Sequence, residues 1–137
     1  DNGKGFKACQ GYRGSDESNY FKEGIVWTDI SSANVSFRYL PPNCIAGAAG
    51  PMLGLINSRF SLFYLLGFLN SRVSSQYAKF LCPTLHFQWG DIQKFPVMLS
   101  NSKRNHSEDL VGLCVSIEKG DWDSYETSWD FKRNPLV

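Results

Sequence analysis

Residues 61–81 read SLFYLLGFLNSRVSSQYAKFL, and this stretch decides the fold class. In its first half Leu62, Leu65, Leu66 and Leu69 recur at intervals of three and four, the spacing that lines one face of a helix. Gly67 is a tolerated weakness inside it. The second half, Ser71 to Leu81, puts Val73, Tyr77 and Phe80/Leu81 on one stripe, and Pro83 enforces a stop because proline cannot continue a helix. The spacing predicts two consecutive helices whose Leu62, Leu65, Leu66, Leu69, Val73, Tyr77 and Phe80 are core.

Upstream, the pattern changes period. Gly24 to Ile30 reads as a strand bounded by glycine and serine, and residues 35–40 alternate Val35, Phe37 and Tyr39 against Ser36 and Arg38. Pro41-Pro42 ends that second strand. Residues 43–54 are small and apolar, suiting a short strand and a tight turn. Downstream, Leu85–Trp89 and Pro96–Leu99 read as extended pieces around a single helical turn at Gly90–Phe95. Residues 100–106 form a polar linker, after which Ser107 is the expected N-cap of a last helix. That helix carries Leu110, Leu113/Cys114 and Ile117 as its apolar stripe and closes at Gly120. Trp122 to Val137 shows no periodicity. Strands before helices, without alternation, predict an α+β fold: a small antiparallel or mixed sheet, a helical pair and a C-terminal helix. Residues 1–100 then form the core with a Gly-rich N-terminal arm, and 101–137 the linker and attachment segment.

The 137 residues suffice for one domain, and 42% hydrophobic residues rule out wholesale disorder. The net charge of +1 conceals a split: residues 1–104 carry +5 and residues 105–137 carry −4. Cys9, Cys44, Cys82 and Cys114 are widely spaced, which predicts reduced thiols and a cytoplasmic setting, with no structural zinc. The longest apolar run, Leu62 to Leu69, is too short to span a bilayer. A start at Asp1 suits a piece excised from something larger.

Catalytic motifs are scarce. There is no phosphate-binding glycine loop, no nucleophile elbow and no His-Glu-x-x-His. His86 and His106 stand alone. The acidic cluster Asp121, Asp123, Glu126 and Asp130 reads as a solvated face, so no catalytic and no metal-binding residue is expected. What remains is an N-terminal half in which basic residues are interleaved with aromatics, a composition that permits nucleic-acid binding without demanding it.

Two blocks carry more. YFKEGIVWTDISSANVSFRYLPPNCI at 20–45 and YLLGFLNSRVSSQYAKFLCPTLHFQWGDIQKFPV at 64–97 resemble the target recognition region of large adenine-specific DNA methyltransferases. The tail GDWDSYETSWDFKRNPL resembles the stretch that follows this region in the methyltransferases of BREX phage-defence systems. A broader similarity exists to Eco57I-like restriction-methylases and to type I restriction specificity subunits. The resemblance implies a module that docks on double-stranded DNA while the catalytic domain of its parent flips an adenine and methylates its N6 amine from S-adenosylmethionine. The module itself would hold no cofactor. Its partners would be DNA, that catalytic domain and other phage-defence subunits, with no membrane. The alternative is a structural or protein-interaction subdomain with no base contacts.

The family pattern does not say which residues read bases, so physics must choose them. Thr28, Ser31, Ser32 and Asn34 form a loop of short hydrogen-bonding side chains between the two strands. Arg38 lies on the polar face of the second strand. Lys22 and Arg59 are cations suited to phosphates, and Trp27 either stacks or packs. The arm with Lys4, Lys7 and Arg13 is the next candidate.

Overall fold

The computed structural model describes residues 20–32, 34–47, 50–54 and 60–136. Three strands form an antiparallel sheet in the order β2-β1-β3: β1 is Gly24–Trp27, β2 Phe37–Leu40 and β3 Met52–Leu53. Ile25 pairs with Tyr39 and Trp27 with Phe37, so the expected alternation sets these four on the inner face, while Val26 and Arg38 pair on the outer one. Ile25 also faces Leu53 across the other edge. Gly24 is required there, because a Cβ would lie 2.6 Å from Met52 Cε and 2.9 Å from the Leu53 carbonyl. This is the α+β class expected, with helices following strands.

Helix α1, Leu62–Leu69, lays Leu62, Leu65, Leu66 and Leu69 on the sheet, and all four are buried as predicted. Ser61 caps it, accepting from the Tyr64 N–H. At the far end Asn70 clamps the edge of β2: its Oδ1 accepts from Phe37 N at 3.0 Å, and its Nδ2 donates to Phe37 O at 2.9 Å. One amide side chain thereby pairs a strand residue as a neighbouring strand would. Phe87, Ile92 and Phe95 complete the core, the last two in and just after the short helix α3, Trp89–Ile92.

Helix α2, Arg72–Leu81, is where the predicted stripe fails. Val73, Tyr77 and Phe80 are 60%, 43% and 84% exposed, whereas Ser74 and Ala78 are buried. The helix end sets this phase. Ser71 Oγ accepts from Ser74 N at 3.2 Å, and Ser74 Oγ donates to the Phe68 carbonyl at 2.6 Å in the last turn of α1. Two small residues let α2 approach closely, and the bulky face turns outward.

Helix α4 spans Arg104–Trp122, longer at both ends than the sequence suggested. Ser107 is not its cap; the Ser107 N–H already bonds the Lys103 carbonyl, and Arg104 pairs with Glu108 at 2.6 Å one turn on. Gly120 lies inside the helix. The stripe Leu110, Leu113, Cys114 and Ile117 does not face the body: the three aliphatic residues are at least half exposed and Cys114 is exposed. Val111 and Val115 pack against the core instead. Gly67 makes this crossing possible, since a Cβ there would lie 2.7 Å from Val111 Cγ2, and Gly112 sits opposite Phe63. The glycine that weakens α1 as a helix is thus the seat of α4. Beyond α4, Lys119 Nζ holds Asp123 at 2.6 Å and Asp130 at 2.7 Å, which folds the tail back on the helix end. These hydrogen bonds raise the Lys119 pKa, and that from Lys119 with a second from Ser128 lowers the Asp123 pKa.

The packing yields three expected outcomes in chemical denaturation. Leu66→Ala, which empties the centre of the core, should cost about 2–5 kcal/mol. Gly67→Leu should cost about 1–3 kcal/mol by overpacking the α1–α4 crossing. Gly112→Ala, with its Cβ in ordinary contact with Phe63, should leave stability unchanged or raise it by up to about 1 kcal/mol.

Candidate nucleic-acid interface

Past Trp27 the first strand does not stop pairing; it changes partner. Phe87 N donates to Asp29 O at 2.8 Å, Ser31 N donates to Leu85 O at 3.0 Å, and Ile30 and His86 form an antiparallel bridge. Beneath them the Trp27 indole N–H donates to Phe87 O at 2.9 Å. The β1–β2 loop is therefore stapled to the segment following α2, and an open cleft of about 660 Å³ lies along the seam. Its loop wall carries Thr28, Asp29, Ser31, Ser32 and Asn34, with Lys79 and Thr84 opposite. A second depression, lined by Thr84, His86, Gln88 and Asp91, flanks the same segment.

Four residues chosen from sequence thus lie together: Thr28, Ser31, Ser32 and Asn34 all line the cleft. Arg38, exposed on the outer face of β2, reaches the rim, where its guanidinium donates to Thr28 Oγ1 at 3.4 Å. Trp27 goes elsewhere. It is 1% exposed, ringed by Phe37, Phe87 and Trp89, and its one donor is spent on Phe87 O. It packs and offers no face to a base, so it is not a candidate for a base contact. Lys22 is exposed ahead of β1, outside the cleft lining. Arg59, with the arm residues Lys4, Lys7 and Arg13, lies outside the described residues.

Sequence reading missed Lys79, Thr84, His86 and Asp29. Lys79 sits in the last turn of α2, one step from Ala78, and faces the cleft only because α2 is rotated as described. Asp29 and His86 are far apart in sequence, and only the strand bridge sets Asp29 Oδ2 3.6 Å from His86 Nδ1. Asp91 secures the adjoining wall. Its carboxylate accepts from Gln88 N at 3.1 Å at the start of α3 and from Lys94 Nζ at 3.3 Å. The Gln88 N–H first, and Lys94 after it, hold the Asp91 carboxyl below the usual carboxylate range.

No protein-family model matches the chain. Two curated proteins do. An adenine-specific methyltransferase, BrxX of Escherichia coli O9:H4 (strain HS), is 39% identical over 119 residues, 86% of this chain. The chain is related to a segment of adenine-specific methyltransferases. A second such enzyme, PglX of Lacticaseibacillus casei (strain Zhang), is 34% identical over 120 residues, 85% of this chain. The chain spans only about 10% of the length of either relative.

The capping carboxylate makes the cleft wall sensitive to acid. With its folded pKa depressed, Asp91 stabilises the fold above its unfolded pKa near 3.8, and that contribution is lost as pH falls through the lower folded value. Asp91→Asn should therefore be less stable than the parent at neutral pH, and the gap should narrow below about pH 4. Urea denaturation of both proteins across that range checks it.

Proposed function

We propose that the chain is the target-recognition module of an S-adenosylmethionine-dependent, adenine-specific (N6) DNA methyltransferase in phage defence, docking on double-stranded DNA and reading base pairs around the flipped adenine. One observation carries the reading. The loop between the first two strands gathers short hydrogen-bonding side chains on one wall of an open cleft, with Arg38 at the rim and Lys79 opposite. Base edges are read by such groups, while cations hold the phosphates alongside. Relationship to a segment of two adenine-specific methyltransferases supplies the chemistry the module would serve.

Binding of S-adenosylmethionine is assigned to the parent's catalytic domain rather than to this cleft. The ring lining the cleft, Phe87, is buried with Trp27, Phe37 and Phe95 packed about it, so an adenine would find no stacking face there. Among the described residues no step of methyl transfer is assigned. The acidic C-terminal segment, whose charge would repel phosphate, is assigned to attachment rather than reading. No helix among the described residues is long and apolar enough to cross a membrane.

A second reading has its own observation. The outward faces of α2 (Val73, Tyr77, Phe80) and α4 (Leu110, Leu113, Ile117) are apolar and uncovered, as a subdomain that docks on the parent's catalytic domain or on defence-complex subunits would be. A protein-docking subdomain would show little DNA affinity at any salt concentration.

Two experiments test the reading. Grafting this segment into a related methyltransferase should transfer the methylated motif, mapped genome-wide. In a salt titration of duplex binding, Lys79→Ala should weaken binding to all sequences alike and lower the slope by about one unit. Arg38→Ala, by losing a base-edge contact, should cost about 1–3 kcal/mol and relax preference at one base pair. A graft that leaves the motif unmoved would overturn the assignment.

A further inference from the structure

Among the described residues one buried side-chain oxygen is left without a hydrogen-bond partner, and its residue lines the cleft. Asp29 is fixed by its backbone, whose carbonyl accepts from Phe87 N at 2.8 Å, and its side chain is 27% exposed. Oδ2 stands 3.6 Å from His86 Nδ1, beyond hydrogen-bond length. Oδ1 is buried and has no hydrogen-bond partner among the described residues. Buried acceptors are almost always paired, so an unpaired one in the wall of a cleft calls for an explanation. Lys79, the cation of the same cleft, belongs to the opposite wall and makes no ion pair with Asp29 among the described residues.

Resting on the reading of the chain as a DNA-target module, we propose that Asp29 is a specificity-determining residue that accepts a hydrogen bond from the exocyclic N4 amine of a cytosine in the major groove. A carboxylate only accepts, so its ligand must donate, and it repels phosphate, which excludes a backbone contact. The major groove offers two exocyclic amines. Adenine N6 stands beside N7, an acceptor that a carboxylate faces unfavourably and that favours an amide side chain instead. Cytosine N4 has no acceptor of that kind on its own groove edge, which suits a lone carboxylate. With Oδ1 buried, Oδ2 is the oxygen that meets the base, and at 3.6 Å from His86 Nδ1 no hydrogen bond to that ring competes for it. The hydroxyls of Ser32 and Thr28 along the same wall add contacts to neighbouring edges.

The test needs no variant to begin with. The intact methyltransferase carrying this segment is given duplexes containing its motif, in which each cytosine in turn is replaced by a pyrimidin-2-one lacking the N4 amine. Methylation should fall about tenfold at one cytosine position, the discrimination expected of a lost base contact. Asp29→Ala removes the acceptor, and in protein that still melts cooperatively it should abolish that sensitivity while relaxing the genomic motif at the same position. Indifference to every cytosine replacement would overturn the assignment, as would a folded Asp29→Ala enzyme that is equally sensitive to the analogue. The module graft separates this from the broader reading. A graft that moves the motif, with no cytosine sensitive to N4 removal, sinks Asp29 alone; a graft that moves nothing sinks both.

Discussion

The indole of Trp27 is the point on which the rest of the structure turns. Its rings fill the centre of the core, and its N–H donates to the carbonyl of Phe87, 60 positions further on. A buried indole nitrogen without a partner would cost about 1–3 kcal/mol, so the segment after α2 must come to the end of β1 for Trp27 to be buried at all. Once there, Phe87, Leu85 and His86 go on to pair with Asp29, Ser31 and Ile30. The cleft is a consequence of that pairing. Its two walls are the loop that leaves Trp27 and the segment that satisfies it.

Small residues govern the other contacts. Ser74 and Ala78 let α2 press on the core, and Gly67 lets Val111 of α4 press on α1. At both contacts the close approach of backbones outweighs the burial of the larger apolar face, which is left outside. Val73, Tyr77 and Phe80 on α2, and Leu110, Leu113 and Ile117 on α4, therefore face solvent. Exposed stripes on two separate helices are uncommon in a protein that stands alone, and this chain spans about a tenth of the relatives it matches.

Charge divides the molecule along the same lines. The basic excess falls between Arg59 and Arg104, and the acidic excess in the rest of α4 and the tail. Part of that acid is already committed, because Lys119 bridges Asp123 and Asp130. The acidic cluster beyond Gly120 is thus in part a structural clasp, an origin that composition alone does not reveal.

The sequence by itself determined what depends on period and local chemistry. The leucines of α1 recur at helical spacing, and Phe37 and Tyr39 alternate with Arg38. These features need only near neighbours to act. The short polar loop at Thr28–Asn34 was visible for the same reason, since it is what lies between two alternating runs. Only the tertiary structure decided which face of α2 and α4 turns inward, that Trp27 packs, and that Lys79, Thr84, His86 and Asp29 join the loop. Each of those outcomes depends on a partner distant in sequence: Phe68 for Ser74, Gly67 for Val111, Phe87 for Trp27. Hydrophobic spacing marks the faces able to be buried, but how closely two backbones approach selects among them, and that is a property of the pair.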